Sequence, residues 1–215
     1  MYFVIQSCFG YQTYLSHILE QLDSIGIQDN IIIVYNKAPN NSIQQNKYTQ
    51  IFTTDNLYEL SSFKQLAIHY NLFKQYDKFL FLHDTVSLGS QFKNKLKIVN
   101  SLLDNRPFDW APLAYNFQCM MGIAHIDFIK KEWTKFLSLP SSITKQEAID
   151  VEWCTGTYEN YCMRNLCDIP YLIGRNPKVK RSKINWLGLE ERTEIYFESL
   201  DLYKYYKHPK IRLRL

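Results

Sequence analysis

The sequence YDKFLFLHDTVSLGSQF, residues 76–92, carries a run of apolar side chains that stops at His83 and Asp84. Phe79 to Leu82 are four successive apolar residues, a pattern typical of a strand buried on both faces of a parallel sheet. The strand is predicted to end at Asp84, and Gly89 then turns the chain. Ligands of open α/β sheets bind outside the carboxyl ends of the strands. Asp84 is therefore expected either in a ligand site or as a cap of the following turn.

The residues before this segment predict a β-α-β unit. Tyr2 to Ser7 and Asn30 to Tyr35 are apolar strands, and Thr13 to Ile25 carries its leucines and isoleucines on one helical face. Two strands joined by one helix are expected to be parallel, with a right-handed crossover. Three further segments are predicted before residue 79: a loop over 38–50, a short strand over 50–53 and a helix over 60–73.

The second half of the chain is predicted to mix helices with short strands. Residues 174–215 hold eleven Lys or Arg against five Asp or Glu, which makes this segment basic. The sequence shows no linker, repeat or low-complexity tract, so residues 1–215 are predicted to form a single domain. The predicted elements are helices over 92–103, 128–137 and 144–166 and strands over 110–115, 120–124 and 171–173.

Composition limits the classes of protein that fit. A chain of 215 residues with 46% apolar residues can fill one core, and a net charge of +4 is too small to imply a nucleic-acid partner. The five cysteines form no CxxC pair, which favours free thiols in a reducing compartment. The sequence has no basic leader and no apolar run of membrane-spanning length. A soluble, cytoplasmic protein without a transmembrane segment is expected.

Two common nucleotide-binding motifs are absent from the sequence. Gly10 is the only glycine in CFGYQTY, the segment directly after the first predicted strand, so no G-x-G-x-x-G fingerprint is present there, and no G-x-x-x-x-G-K-[ST] loop occurs anywhere. Dinucleotide-dependent dehydrogenases and P-loop enzymes are therefore poor fits. What remains is an α/β half followed by a mixed half, with an acidic strand end where the two meet.

With these features the chain resembles the glycosyltransferases of the GT-A fold. In that family a nucleotide-binding β/α half ends in a hydrophobic strand with a D-x-D motif, and an acceptor half follows. Here YDKFLFLHDTVSLGSQF stands in that place, preceded by a helix with Lys64 and Asn71, and His83-Asp84-Thr85 replaces the motif. The resemblance covers the layout of residues 1–165. It implies a GT-A-like, Rossmann-like, mainly parallel sheet flanked by helices, with a nucleotide-sugar-binding half (1–90) and an acceptor half (91–215).

The resemblance also implies an activity and a donor site. A sugar would pass from a nucleoside-diphosphate sugar, with UDP favoured over GDP, to a hydroxyl group of a glycan or protein-linked glycan. Strand ends converge on one crevice, and the amide of Asn36 offers both a donor and an acceptor to a base edge. The expected donor-binding residues are Gln6, Ser7, Cys8, Asn36, Asp55, Lys64 and Asp84.

A divalent cation and a catalytic base complete what the resemblance implies. Mn²⁺ or Mg²⁺ would neutralise the leaving diphosphate, held by Asp84 and by His208 near the carboxyl terminus. Asp150 and Glu152 are the candidate bases for the acceptor hydroxyl. Other roles remain open, because acidic residues in a first helical turn also complement the helix dipole, and His208 can be a solvated residue of the basic segment.

Two other functions are compatible with the same layout. A nucleotidyltransferase acting on sugar phosphates shares it, although CFGYQTY after the first strand lacks the Gly- and Arg-rich loop of such enzymes. A non-catalytic nucleotide-sugar-binding domain that lacks the second aspartate is the other alternative. The chain can also be one domain of a larger enzyme.

Overall fold

Strands and helices alternate along the first part of the chain in the computed structural model, which describes residues 1–10, 12–105, 107–113, 121–153, 178–182 and 192–207. The first four strands are joined by short turns and one helix, and two short helices precede the strand at residue 78. In chain order the elements are β1 (Tyr2–Cys8), α1 (Gln12–Ser24), β2 (Ile31–Asn36), β3 (Ser42–Gln45), β4 (Thr49–Phe52), α2 (Leu60–Ile68), α3 (Tyr70–Phe73), β5 (Lys78–His83), β6 (Val86–Leu88), α4 (Phe92–Asp104), β7 (Trp110–Pro112), β8 (Gly122–His125), α5 (Ile126–Lys131), α6 (Trp133–Leu137), α7 (Lys145–Trp153), β9 (Lys178–Ser182), β10 (Arg192–Phe197) and β11 (Leu202–Lys207).

A seven-stranded mixed sheet has the order β3-β4-β2-β1-β5-β8-β7. Its centre is parallel, because β4, β2, β1 and β5 all run in one direction. The outer strands β3, β8 and β7 pair in antiparallel fashion. The four strands predicted to be parallel neighbours are therefore confirmed, and so is the α/β class. The carboxyl ends of β2, β1 and β5 meet at one edge of the sheet.

Helices cover both faces of this sheet because the central strands are apolar on both sides. All six residues of β2 and all six of β5 are buried. On β5, Leu80 and Leu82 pack with side chains of α1 and α4, whereas Phe79 and Phe81 pack with those of α2, α5 and α6. Alternate residues of a strand point to opposite faces, so one strand serves two cores.

A second, four-stranded antiparallel sheet has the order β6-β11-β10-β9. Its strand β6 begins at Val86, two residues after Asp84, and pairs with β11 so that Lys204 lies opposite Val86. Residues 192–207 fall in the segment that is basic in sequence, and no strands were predicted there. This pairing brings β11 to the carboxyl end of β5.

Three predicted elements were wrong in detail. The predicted loop at 38–50 contains β3, which pairs with β4 at the edge of the sheet; its mostly polar sequence, SIQQ, gave no strand signal. The predicted helix over 60–73 is divided at His69, and the one over 128–137 is divided at Glu132. In both cases apolar residues keep the helical spacing across the break, so periodicity alone does not reveal it.

Other predictions fall partly outside the described residues. The strands predicted over 110–115 and 120–124 correspond to β7 and β8, but the turn between them lies in the undescribed segment 114–120. The helix predicted over 144–166 is described as far as Trp153, and the strand predicted at 171–173 is not described. The single-domain assignment stays a prediction. Among the described helices, none has the length and apolar character needed to cross a membrane.

Candidate functional site

A cavity of about 310 Å³ lies at the carboxyl ends of β1, β2 and β5. It forms where three parallel strands end side by side, which is the position at which open α/β sheets bind ligands. The turn after β5, the start of α2 and strand β11 complete its wall. The lining residues are Gln6, Ser7, Cys8, Asn36, Tyr58, Glu59, His83, Asp84, Thr85, Lys204 and Tyr205.

Ser7 and Asp84 are joined across the ends of two neighbouring strands. The Ser7 hydroxyl donates a hydrogen bond of 2.8 Å to Asp84 Oδ2, and the Asp84 backbone N–H donates to the Gln6 carbonyl oxygen at 3.0 Å. The backbone N–H of Cys8 also hydrogen-bonds the Asp84 carboxylate. The register of β1 and β5 pairs Gln6 with His83, so the residues that follow are placed next to each other.

The Asp84 carboxyl is partly removed from water, and this changes its acidity. Burial raises its pKa to about 6, and the negative charge of Glu59 acts in the same direction. The hydrogen bond from Ser7, the positive charge of Lys204 and the Cys8 N–H all oppose the rise. Since burial is the largest cause, the shift is mainly a desolvation effect. Asp84 therefore changes its charge close to neutral pH.

Two buried polar atoms in the wall lack a hydrogen-bond partner among the described residues. One is His83 Nε2 and the other is Asn36 Oδ1. Burial and the charge of Lys204 hold the pKa of His83 well below its usual value, so the imidazole is neutral. Its Nδ1 lies 3.7 Å from Glu59 Oε1. Buried polar groups are normally hydrogen-bonded, so each of these two atoms is open to a water molecule or a polar ligand group as its partner.

Gln6 and Cys8, two of the expected donor-binding residues, both lie in the cavity wall but have different surroundings. The Gln6 amide donates to the Val34 carbonyl at 3.3 Å, and its oxygen accepts from the hydroxyl of Ser62. These bonds tie β1 to β2 and to α2, which gives Gln6 a positioning role. The Cys8 thiol is free, and burial raises its pKa.

Asp55 and Lys64 form a buried ion pair that does not line the cavity. Lys64 Nζ lies 3.1 Å from Asp55 Oδ2 and donates to the Pro140 carbonyl oxygen at 3.0 Å. Gln65 adds a hydrogen bond of 3.3 Å to Asp55. The pair connects the segment after β4 with α2 and with the chain before α7. Donor binding by Asp55 and Lys64 stays a prediction, and the structure gives the pair a structural role.

The candidate bases lie on α7. This helix begins with a capping box, in which Thr144 and Glu147 exchange hydrogen bonds between side chain and backbone. Asp150 accepts a hydrogen bond of 2.9 Å from Gln146 and is not among the described residues that line the cavity. Glu152 belongs to α7, but its side chain lies outside the described residues, as does His208. Their catalytic and metal-binding roles stay predictions.

Four lining residues were not predicted from the sequence: Tyr58, Glu59, Lys204 and Tyr205. Tyr58 has a φ of 51° and Lys37 a φ of 56°, and Lys37 Nζ lies 5.4 Å from the centroid of the Tyr58 ring. Backbone strain of this kind in non-glycine residues is concentrated at functional sites. The alternating apolar residues Ile195 and Phe197 could have indicated the hairpin, but not that it brings Lys204 to this cavity.

The described residues do not fit the expected divalent cation. No group of three or more His, Cys, Asp or Glu side chains among them is arranged to hold a metal ion. Mn²⁺ and Mg²⁺ prefer several oxygen ligands, whereas Asp84 is already bonded to Ser7 and Cys8 and lies in the field of Lys204. The predicted partner ligand, His208, is outside the described part of the chain.

A second cavity, of about 590 Å³, lies at the amino end of β5. Its lining includes Asp77, Lys78, Asp104, Asp109 and His125. Lys78 pairs with Asp104, and Asp109 pairs with Lys131 outside the lining, but two further aspartates leave the wall with an excess of negative charge that repels an anionic ligand such as a nucleotide. This cavity therefore has weaker chemical grounds for a ligand than the smaller one at the carboxyl edge.

The sequence matches no protein-family model, and no curated protein matches it. The case for its function therefore rests on the residues and the geometry of the cavity.

Proposed function

We propose that the protein is a glycosyltransferase that moves a sugar from a nucleoside-diphosphate sugar to a hydroxyl acceptor. The observation that carries the proposal is the cavity at the carboxyl ends of β1, β2 and β5, whose wall contains the unpartnered atoms Asn36 Oδ1 and His83 Nε2. The position agrees with the donor site that the resemblance implies. Five of its lining residues were expected at the donor site from the sequence: Gln6, Ser7, Cys8, Asn36 and Asp84.

The nucleoside is proposed to bind against Asn36. An unpartnered amide oxygen is an acceptor, and it matches the ring N–H of uracil or guanine. Tyr58 lines the same cavity and presents an aromatic ring. The diphosphate would then extend from β2 towards β5, past Ser7 and Asp84.

Transfer to an acceptor hydroxyl needs a group that takes its proton. Glu59 is the lining carboxylate best placed for this, since Asp84 is already bonded to Ser7 and Cys8. The Glu59 side chain is 23% exposed, so an acceptor can reach it. A positioned base of this kind contributes roughly 10²–10⁴-fold to a rate. Asp150 and Glu152 remain the alternative bases.

The test measures release of nucleoside diphosphate from a panel of UDP- and GDP-sugars with a mixture of glycan acceptors. Glu59→Gln should lower the transfer rate by roughly 10²-fold or more and leave donor affinity unchanged. Glu132→Gln is the matched control, because Glu132 also precedes a helix, is 16% exposed and lies outside the cavity. The control should keep the wild-type rate.

The same assay separates the alternatives. Pyrophosphate release from a nucleoside triphosphate and a sugar 1-phosphate would identify a nucleotidyltransferase. Tight binding of a nucleotide sugar without transfer to any acceptor would identify a binding domain. If no nucleotide or nucleotide sugar binds, the proposed function is wrong.

A further inference from the structure

Lys204 brings a buried ammonium group to the cavity. The residue is 3% exposed and lies on β11, where it pairs with Val86 of β6. The neighbouring Tyr205 N–H donates to the Thr85 carbonyl oxygen at 3.0 Å. Backbone pairing therefore fixes Lys204 beside the turn that carries Asp84, and its placement does not depend on a flexible side chain alone.

The charge of Lys204 acts on the side chains of this wall. It opposes the rise that burial causes in the pKa of Asp84, and it adds to the lowering that burial causes in the pKa of His83. The field of Lys204 therefore reaches the end of β5. Lysine is seldom fully buried, because an ammonium group loses its hydration when it leaves water. Lys204 already has an interaction within the protein, and an anionic ligand group in the cavity would be a further partner for its charge.

A second lysine stands near the other side of the same wall. Lys37 follows β2 and is exposed. Burial raises the pKa of the Cys8 thiol, and the charge of Lys37 opposes this rise. Its ammonium group lies 5.4 Å from the centroid of the Tyr58 ring, and Lys37 is not among the residues that line the cavity. Among the described residues that line the cavity, Lys204 is therefore the lysine that a diphosphate would meet.

We propose that Lys204 supplies the positive charge that faces the donor diphosphate, so that donor binding needs no divalent cation. This inference rests on the proposed function and names the group that takes the role expected of Mn²⁺. An ammonium group binds phosphate oxygens as a compact point charge. The side chains described around Asp84 suit this arrangement better than the coordination of a hard cation.

Calorimetry with wild-type protein gives the first test, using UDP and uridine as probes in excess EDTA and again in Mn²⁺. Uridine lacks the phosphates but keeps the base and ribose. We expect UDP to bind in EDTA at least tenfold more tightly than uridine. Mn²⁺ should change the UDP affinity by less than threefold.

Variants of Lys204 test whether its charge is the one that binds the phosphates of UDP. Lys204→Met should reduce UDP affinity to that of uridine while uridine binding stays unchanged, and Lys204→Arg should keep most of the preference for UDP. Lys78→Met is the matched control, since Lys78 is also buried but lies at the opposite end of β5, paired with Asp104. The control should bind UDP as wild type does.

The outcomes separate this inference from the proposed function. UDP binding that requires Mn²⁺, or an unchanged UDP-to-uridine ratio in Lys204→Met, would overturn the role of Lys204 and leave the donor site standing. Failure of UDP, uridine, GDP and guanosine to bind in either condition would overturn both. If Lys204→Met does not fold, the wild-type titration still tests the inference, because UDP that binds in EDTA no more tightly than uridine would overturn it.

Discussion

Ser7 Oγ and Asp84 Oδ2 are 2.8 Å apart, and this hydrogen bond joins the carboxyl ends of β1 and β5. The two strands are parallel neighbours, so the segments that follow them leave the sheet side by side at the same edge. The bond holds the carboxylate in the cavity wall instead of letting it turn to solvent. Asp84 is thereby a fixed, largely desolvated acid, and its state depends on the groups around it.

The first prediction concerns the effect of pH on stability through Asp84. Its pKa of about 6 in the folded protein lies above the usual value of 3.8, so folding favours the protonated form. The contribution of Asp84 to the free energy of unfolding is fully present below pH 4 and is lost as the pH rises through 6. One pKa unit corresponds to about 1.4 kcal/mol, so the loss should be about 2–3 kcal/mol.

Urea unfolding of wild type and Asp84→Asn at pH 4 and pH 8, in EDTA, measures this contribution. The side-chain amide of the variant cannot ionise. The unfolding free energy of the variant minus that of wild type should therefore be about 2–3 kcal/mol larger at pH 8 than at pH 4. Two charged groups act on Asp84, namely Glu59 and Lys204, and both are present in the wild type and in the variant. An equal difference at the two pH values would show that Asp84 titrates normally.

The second prediction concerns Asn36 and the nucleoside. Asn36→Ala should weaken uridine binding by about 1–3 kcal/mol, because a hydrogen bond to the base is lost. Calorimetry measures the affinity. Asn56→Ala is the control: its Oδ1 is also buried without a partner among the described residues, but it lies outside the cavity. Equal affinities for wild type and Asn36→Ala would limit Asn36 to a role in the turn.

The third prediction concerns Gly89, which links β6 to α4. A Cβ atom at this position would collide with the Asp201 carboxylate. That carboxylate accepts hydrogen bonds from the Gln91 N–H at 2.8 Å and from the Tyr196 hydroxyl at 3.0 Å. Gly89→Ala should cost about 1–3 kcal/mol of unfolding free energy and speed hydrogen exchange in β10 and β11.

Ser90→Ala provides the comparison for Gly89, since the neighbouring Ser90 is exposed. This change should shift the unfolding free energy by less than about 0.5 kcal/mol. If Gly89→Ala is equally mild, the contact with Asp201 does not hold the second sheet in place.

The fourth prediction concerns the aromatic core behind β5. Phe63 is fully buried and stacks on Phe81 with ring centroids 4.1 Å apart. Phe63→Ala should cost about 3–5 kcal/mol in urea unfolding, through lost burial and the cavity that remains. Ile98→Ala on the exposed face of α4 should cost far less, since Ile98 is 61% exposed. Similar costs would mean that the core behind β5 is loosely packed.

The parallel centre of the sheet could be predicted because its signal is local. NIIIVY at 30–35 and KFLFLH at 78–83 are apolar over a whole strand, and that pattern occurs when both faces are covered. The placement of Ser7, Asn36 and Asp84 follows from it, because parallel strands end at a common edge. Strand β3 was missed because an edge strand with one apolar residue lacks this signal.

The contribution of β11 could not be predicted from the sequence in the same way. Lys204 reaches the cavity through pairing with β6, more than a hundred residues earlier in the chain. Such long-range pairing has no local signature, and a lysine among tyrosines suggests an exposed strand or a basic tail. Glu59 likewise depends on how α2 approaches β5, which is decided by packing.

The most direct test of the donor site is a ¹⁵N-resolved NMR titration of the protein with UDP in EDTA. Backbone signals of Ser7, Cys8, Asn36 and Asp84 should shift together and saturate, since these residues line one cavity. Asp77, Lys78 and His125 line the larger cavity at the other end of β5 and should not respond. Shifts confined to that second cavity, or no saturable shift at any residue, would contradict the account.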